Sequence, residues 1–154
     1  MEMPKLTEAH KNFKYLAGQW SGQERIAPSP WDPKGGTATG YSDNRIALDG
    51  FVLVHDYEQQ RNGATTFRGH GVLSFDPQEQ CYRMHWWDSM GSPVNAFKGN
   101  FEGQVLKMTY VGPQGHNRVT WDFSQAGRYR FQMDISPDGQ QWHTFMEGDY
   151  TRQA

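Results

Sequence analysis

The sequence predicts an all-β protein, an up-and-down antiparallel β-barrel of about ten strands with a short N-terminal helix. Helical spacing of apolar residues is confined to the first 18 positions. From there to Arg152, apolar and polar residues alternate, and turn residues recur roughly every eight to twelve positions, which is typical of a sandwich or barrel. With 9 Phe, 7 Tyr and 6 Trp, relatively few side chains can fill a core, because aromatic residues bury large areas.

Length and charge limit the class of protein. The 154 residues fit one domain, residues 1–154, with a single core. A net charge of -2 argues against a nucleic-acid partner that is bound through its phosphates. One cysteine, Cys81, excludes an internal disulfide and suits a reducing compartment. Since the sequence has neither an apolar signal segment nor a membrane span, we expect a cytoplasmic protein with no membrane partner.

The helix is predicted to begin after Thr7 and to end before Gly18. The positions that recur at helical spacing are Leu6, His10, Phe13 and Leu16. A helix this short is not stable alone. We therefore expect it to pack across one end of the barrel.

Turn signals fix the register of the second half. A two-residue turn at Glu102-Gly103, a loop from Gly112 to Gly115 and a glycine at Gly127 place every apolar residue of these strands on one face. The predicted interior residues are Phe97, Met108, Trp121, Phe131, Met133 and Met146. The opposite face collects Lys98, Lys107, Arg118, Asp122, Arg128, Arg130 and Asp134. The second half is therefore predicted to form one aromatic wall of the barrel, with its charges in solvent.

The first half carries large apolar residues on both faces of its strands, near residues 41–48, 51–59, 67–75 and 81–88. Glycines leave room for large neighbours, so the face with Gly69, Gly71, Met84 and Trp86 is predicted to be interior. With a simple two-residue turn at Asn62-Gly63, that choice also points Asp56, Glu58 and Asp88 inward, near Arg45 and Asp43. On the first strand, Glu24 shares its face with Trp20.

The other face of these strands is then apolar as well. Its residues are Ile46, Leu48, Phe51, Leu53, Tyr57, Val72 and Trp87. A contiguous apolar patch of this size is typical of an interaction surface. We expect a homodimer through the outer face of the strands spanning 41–88, the alternative being scattered surface hydrophobic residues.

Three histidines, His55, His70 and His85, fall opposite one another in the same register. Neighbours in such a row have Cβ atoms about 5 Å apart, and imidazole is a preferred ligand of zinc and copper. The interior choice sends all three outward, so surface or interface histidines are favoured over a metal site.

Two features resemble the calycin (lipocalin-like) signature: Gly18-Gln19-Trp20 on the first strand and Arg152 on the last. The resemblance implies that Trp20 closes the barrel floor and that Arg152 packs over it. An ordered set of segments is similar to an uncharacterised bacterial calycin family, domain of unknown function 1579: Leu16–Trp20, Asp49–Phe51, Asp56–Glu58, Gly69–Gly71, Trp87–Gly91, Asp138-Gly139 and Tyr150–Arg152. This family implies a fold and no established activity.

Calycins also include nitrobindin-like haem proteins, and that likeness implies a proximal histidine on the last strand. Here the corresponding residues are Phe145–Gly148, and His143 nearby has an outward position. Haem is therefore disfavoured as a cofactor, and no other cofactor is predicted.

These inferences favour a barrel that binds a small hydrophobic or aromatic molecule, since methionine and aromatic walls adapt to such guests. The predicted ligand-binding residues are Glu24, Arg45, Asp56, Met84, Trp86, Asp88, Phe97, Met108, Trp121, Phe131, Met133 and Met146. One alternative is an enzyme that uses the inward carboxylates on such a molecule. A second is a structural protein with a filled barrel.

Overall fold

Ten antiparallel strands close into one barrel in the computed structural model, which describes residues 1–30 and 32–153. A helix α1 (Glu8–Lys11) continues as a 3₁₀ turn (Asn12–Tyr15). The strands are β1 (Gly18–Ile26), β2 (Gly36–Ala47), β3 (Val52–Arg61), β4 (Ala64–Asp76), β5 (Cys81–Asp88), β6 (Asn95–Glu102), β7 (Val105–Gly112), β8 (Gly115–Asp122), β9 (Arg128–Ser136) and β10 (His143–Arg152). Each pairs with its neighbours in sequence, and β1 pairs with β10 to close the cylinder. The predicted fold class is confirmed.

The N-terminal segment seals one end of the barrel. Phe13 and Leu16 are 1% and 2% exposed, and they pack into the core. The indole of Trp20 donates to the Leu16 carbonyl over 2.8 Å, and the Arg152 guanidinium lies 4.4 Å from the centre of the Trp20 ring. The packing implied by the calycin resemblance is therefore present. No helix within the described residues has the length and apolar character needed to cross a membrane.

The second half has the predicted inward face. Met108 lies opposite Val119, and Trp121 lies opposite Phe131. The turn between β6 and β7 places Glu102 opposite Val105, one residue later than predicted. That change moves the pairing by two residues and so preserves the face, because side chains alternate with a period of two.

A β-bulge reverses the predicted orientation of β3. The turn at Asn62-Gly63 is present, with positive φ of 53° and 78°. Beyond it, Gln60 pairs with Thr65 but Gln59 pairs with Phe67, so Thr66 is an extra residue on β4. One extra residue moves each side chain of the partner strand to the other face.

The reversal corrects several predicted positions. Asp56, Glu58 and Arg45 lie on the outer surface, so their expected inward placement was wrong. Leu53 is fully buried, and Tyr57 faces the barrel interior. Both had been assigned to the outer apolar face, which is therefore smaller than expected. The homodimer stays a prediction.

The histidine row is also broken. His55 pairs with Gly71 and points inward, whereas His70 pairs with Trp87 and His85 with Val72 on the outer face. A common site for all three was therefore wrong. Within residues 1–30 and 32–153, no group of three His, Cys, Asp or Glu side chains is arranged to hold a metal ion.

Candidate ligand-binding cavity

A cavity of about 650 Å³ occupies the barrel between the sealed end and the opposite rim. This volume lies within the range of about 300–1,000 Å³ that is typical of small-molecule sites. Strands from both halves of the chain contribute to its wall. The cavity is thus large enough for an organic ligand.

Most of the wall is apolar and aromatic. Trp121 and Phe131 lie with ring centres 5.4 Å apart. The thioethers of Met84, Met133 and Met146 add flexible, polarisable surface. Such a wall favours flat apolar molecules over strongly hydrated ones.

Glycines on β4 position Trp86 in this wall. A Cβ atom at Gly69 would overlap the Trp86 ring, and one at Gly71 would lie 3.1 Å from it. The indole therefore lies flat against β4, and its N–H donates to Asp88 over 2.9 Å. This part of the sequence prediction, glycine beside a large inward neighbour, describes the observed packing.

His55 is the buried imidazole of the cavity. It is 8% exposed, and its Nδ1 lies 2.6 Å from Asn44 Oδ1. The Asn44 amide nitrogen donates to the Leu16 carbonyl over 2.9 Å, which turns the amide oxygen toward His55. Nδ1 must therefore carry the proton. Burial lowers the pKa of His55 to about 4, so the ring is neutral near pH 7 and Nε2 is an acceptor.

Glu24 lies behind the cavity wall, fully buried. Its carboxylate accepts hydrogen bonds from the Tyr57 hydroxyl at 2.7 Å, from Gln59 at 3.1 Å and from the Tyr150 hydroxyl. Burial, together with the adjacent Glu24 charge, raises the pKa of Tyr57 and of Tyr150. The three donors thus satisfy the carboxylate, and both tyrosine hydroxyls remain protonated.

The open rim of the cavity is polar. Arg61 and Asp32 form an ion pair of 2.8 Å with both side chains about three-quarters buried. Asp88, Asn95 and Asn117 also border this end. A ligand therefore meets charged and amide groups near solvent and apolar groups farther in.

Eight of the twelve predicted ligand-binding residues line the cavity: Met84, Trp86, Asp88, Phe97, Trp121, Phe131, Met133 and Met146. Met108 is fully buried in the core beneath it, and Glu24 supports the wall from behind. Arg45 and Asp56 lie outside the barrel, 3.1 Å apart. His143, near the position where the nitrobindin likeness implies a proximal histidine, is exposed.

Sequence reasoning missed the polar side of the cavity, formed by His55, Tyr57 and Gln59 on β3. All three side chains point inward, and not outward as predicted, because the bulge at Thr66 shifts the register of β3 against β4. Thr65 and Thr66 are identical residues, so the sequence carries no local signal that one of them is extra.

The misplaced residues form a cluster on the outer surface instead. His70 Nδ1 lies 2.6 Å from Asp56, whose carboxylate also accepts from Arg45. Burial acts to raise the pKa of Asp56, but the hydrogen bonds from His70 and Arg45 outweigh it and lower the pKa. All three side chains are 40–54% exposed, so this cluster contributes little to stability.

Comparison with known proteins identifies the sequence family of this chain. The family model described as "Protein of unknown function (DUF1579)" matches residues 5–152. A comparison with curated proteins gave no significant match.

Two solved structures are similar over almost their whole length. Rv2717c from M. tuberculosis is 12% identical, with a TM-score of 0.70 over 97% of this chain and 100% of that one. The S-type phycobiliprotein lyase CPES from Guillardia theta is also 12% identical, with a TM-score of 0.64 over 98% and 99% of the two chains. These likenesses show a calycin-like barrel fold.

Proposed function

The chain belongs to the DUF1579 family of proteins of unknown function, and from the cavity of this member we propose that the barrel binds a small, largely apolar, aromatic molecule. The observation that carries the proposal is the cavity of about 650 Å³ with its apolar wall. A ligand that replaces water there buries its own apolar surface and that of the wall.

The distribution of polar groups supports one orientation for the ligand. The Arg61–Asp32 pair and Asp88 border the open rim, whereas Trp121 and Phe131 lie within the barrel. The apolar part of the ligand would therefore enter first, and a polar substituent would remain near the rim. The phycobiliprotein lyase has a similar barrel, but 12% identity supports the fold and not a common ligand.

The two alternatives lose support. An enzyme acting through inward carboxylates would have used Asp56 and Glu58, which are outside, or Glu24, whose oxygens already accept from three donors. Asp88 does line the cavity, but its two oxygens accept from the Trp86 indole and from the Met90 backbone N–H. A purely structural barrel would have its interior filled by side chains, whereas this barrel contains a cavity of about 650 Å³. Non-covalent binding is the function that the geometry favours.

Titration with the fluorescent probe 1-anilinonaphthalene-8-sulfonate tests the proposal. Val119 is 3% exposed and lines the cavity, so Val119→Trp should fill part of it and weaken probe binding at least about tenfold. Thr120→Trp, on the outer face of the same strand, is the matched control and should leave binding unchanged.

Circular dichroism and thermal unfolding establish that both variants fold. If folded Val119→Trp binds the probe as tightly as the wild type, the probe occupies another surface and the proposal is wrong. Native mass spectrometry of the purified protein gives a second test, since a tightly held ligand should appear as a reproducible added mass that Val119→Trp reduces.

A further inference from the structure

We propose that His55 accepts a hydrogen bond from the ligand through Nε2, and that the cavity therefore selects flat, mostly apolar molecules with one donor group, such as a phenolic hydroxyl or a ring N–H. This inference rests on the proposed function and names the chemistry of its ligand. It assigns a recognition role to a residue that the sequence had placed on the outer surface.

Nε2 of His55 has no hydrogen-bond partner among the described residues. His55 makes its one side-chain hydrogen bond through Nδ1, to Asn44, and Nε2 bonds to no other part of residues 1–30 and 32–153. No buried polar side-chain atom in these residues is both sealed off and unpaired. Since His55 is 8% exposed and lines the cavity, its Nε2 retains access to the cavity itself.

The protonation state of the His55 ring is fixed by its surroundings. Leu16 O holds the Asn44 amide, and Asn44 Oδ1 in turn requires a proton on His55 Nδ1. The low pKa of about 4 keeps the second proton off near neutral pH. Nε2 therefore presents a lone pair, and a ligand that meets it must supply a donor.

Three polar groups near His55 are already engaged in hydrogen bonds. The Tyr57 and Tyr150 hydroxyls both donate to Glu24. The Gln59 amide donates to Glu24 as well, and its oxygen faces Thr66 at 3.4 Å. Beside these groups, His55 offers an unused acceptor to a molecule in the cavity.

The rings around His55 determine the shape of the ligand. The Trp86 ring lies 5.7 Å from the imidazole, and the Tyr57 ring lies 6.4 Å away, each inclined by about 30°. A site bordered by aromatic ring faces fits a planar group better than a branched one. A donor on the edge of an aromatic ring combines both requirements.

A pair of probes isolates the hydrogen bond: 2-naphthol, which carries a hydroxyl donor, and 2-methoxynaphthalene, in which methylation removes it. Isothermal titration calorimetry should show that wild-type protein binds 2-naphthol about tenfold more tightly, because the methyl ether leaves Nε2 dehydrated and unpaired. In His55→Phe, which keeps a planar ring without the acceptor, the ratio should fall to one or below. His85→Phe, on the outer face, is the matched control and should retain the wild-type ratio.

Nitrogen-15 NMR of the wild-type imidazole provides a measurement that does not depend on the variant folding. Nδ1 should be protonated and Nε2 not, and the Nε2 resonance should move when 2-naphthol is added but not when the methyl ether is added. If both probes bind the wild type equally, the role of His55 is wrong while the ligand-binding function stands. If neither probe binds, both proposals fail.

Discussion

Acid should destabilise this protein through His55. Burial lowers the pKa of the folded-state imidazole from its ordinary value of 6.5 to about 4. Between these values, the unfolded chain binds a proton that the folded chain does not. Stability therefore falls as pH decreases through this window, and the loss is complete once the folded state is also protonated, below about pH 4.

The size of the effect follows from the two pKa values. Each unit of difference is worth about 1.4 kcal/mol, so the limiting loss is about 3 kcal/mol. At pH 4.5 the folded imidazole is only partly protonated, and the loss relative to pH 7 is about 2.5 kcal/mol. That is a large fraction of the free energy of unfolding of an ordinary domain, about 5–15 kcal/mol.

Urea unfolding at about pH 7 and about pH 4.5 measures this loss when wild type is compared with His55→Gln. The free energy of unfolding of the wild type should fall by about 2.5 kcal/mol more than that of the variant. Backbone hydrogen bonds lower the pKa of Asp76 and of Asp138, but both proteins contain these carboxylates and their contribution cancels. His143→Gln, at an exposed histidine, controls for the substitution itself.

Equal pH-dependent losses in wild type and His55→Gln would refute the reasoning, since the imidazole would then titrate alike in the folded and unfolded chains. Direct NMR titration of the His55 ring should agree with the unfolding data. It should give a midpoint well below that of an exposed histidine.

Three further predictions concern packing and assembly. Leu106→Ala, in the sealed end, should lower the free energy of unfolding by about 2–5 kcal/mol. Met133→Ala should lower it by no more than about half as much, because Met133 borders an existing cavity. Equal losses in urea unfolding would contradict this difference between the packed end and the cavity wall. Gly69→Ala should lower the free energy of unfolding by about 1–3 kcal/mol and change the fluorescence of Trp86. Gly71→Ala should lower the free energy of unfolding by less, and the reverse order would be inconsistent with the observed contacts. Analytical ultracentrifugation at micromolar concentration should show the homodimer expected from the outer face of β2–β5, and sedimentation as a monomer alone would exclude it.

The sequence predicts the second half of the barrel well because its turns provide independent evidence. The hairpin loops there carry glycines such as Gly103 and Gly127, both with positive φ. The turn between β6 and β7 lies one position later than the predicted Glu102-Gly103 turn. The observed strand pairing therefore differs from the predicted pairing by two residues, and the inward face is the same. An error of this kind leaves the predicted ligand wall intact.

The first half fails at one residue for a physical reason. β3 carries Val52 and Val54 on one face and Leu53 and Tyr57 on the other, so hydrophobicity does not distinguish inside from outside. Only the register could decide, and the bulge at Thr66 changed it. Glycine packing gave the correct face for β4 and β5, because that argument compares residues across a single hairpin and does not pass through the bulge.

The misplaced strand, β3, also supplies the buried polar side of the cavity, and the two facts are connected. A strand that carries a histidine, a tyrosine and a glutamine inward has no simple apolar alternation, so its orientation depends on buried polar partners. Asn44 satisfies His55 at one nitrogen, and Glu24 satisfies Tyr57 and Gln59. These contacts stabilise the inward arrangement, and none of the residues in 1–30 and 32–153 pairs with His55 Nε2. A change at that nitrogen should therefore alter which molecules bind while the Glu24 network continues to hold the wall in place.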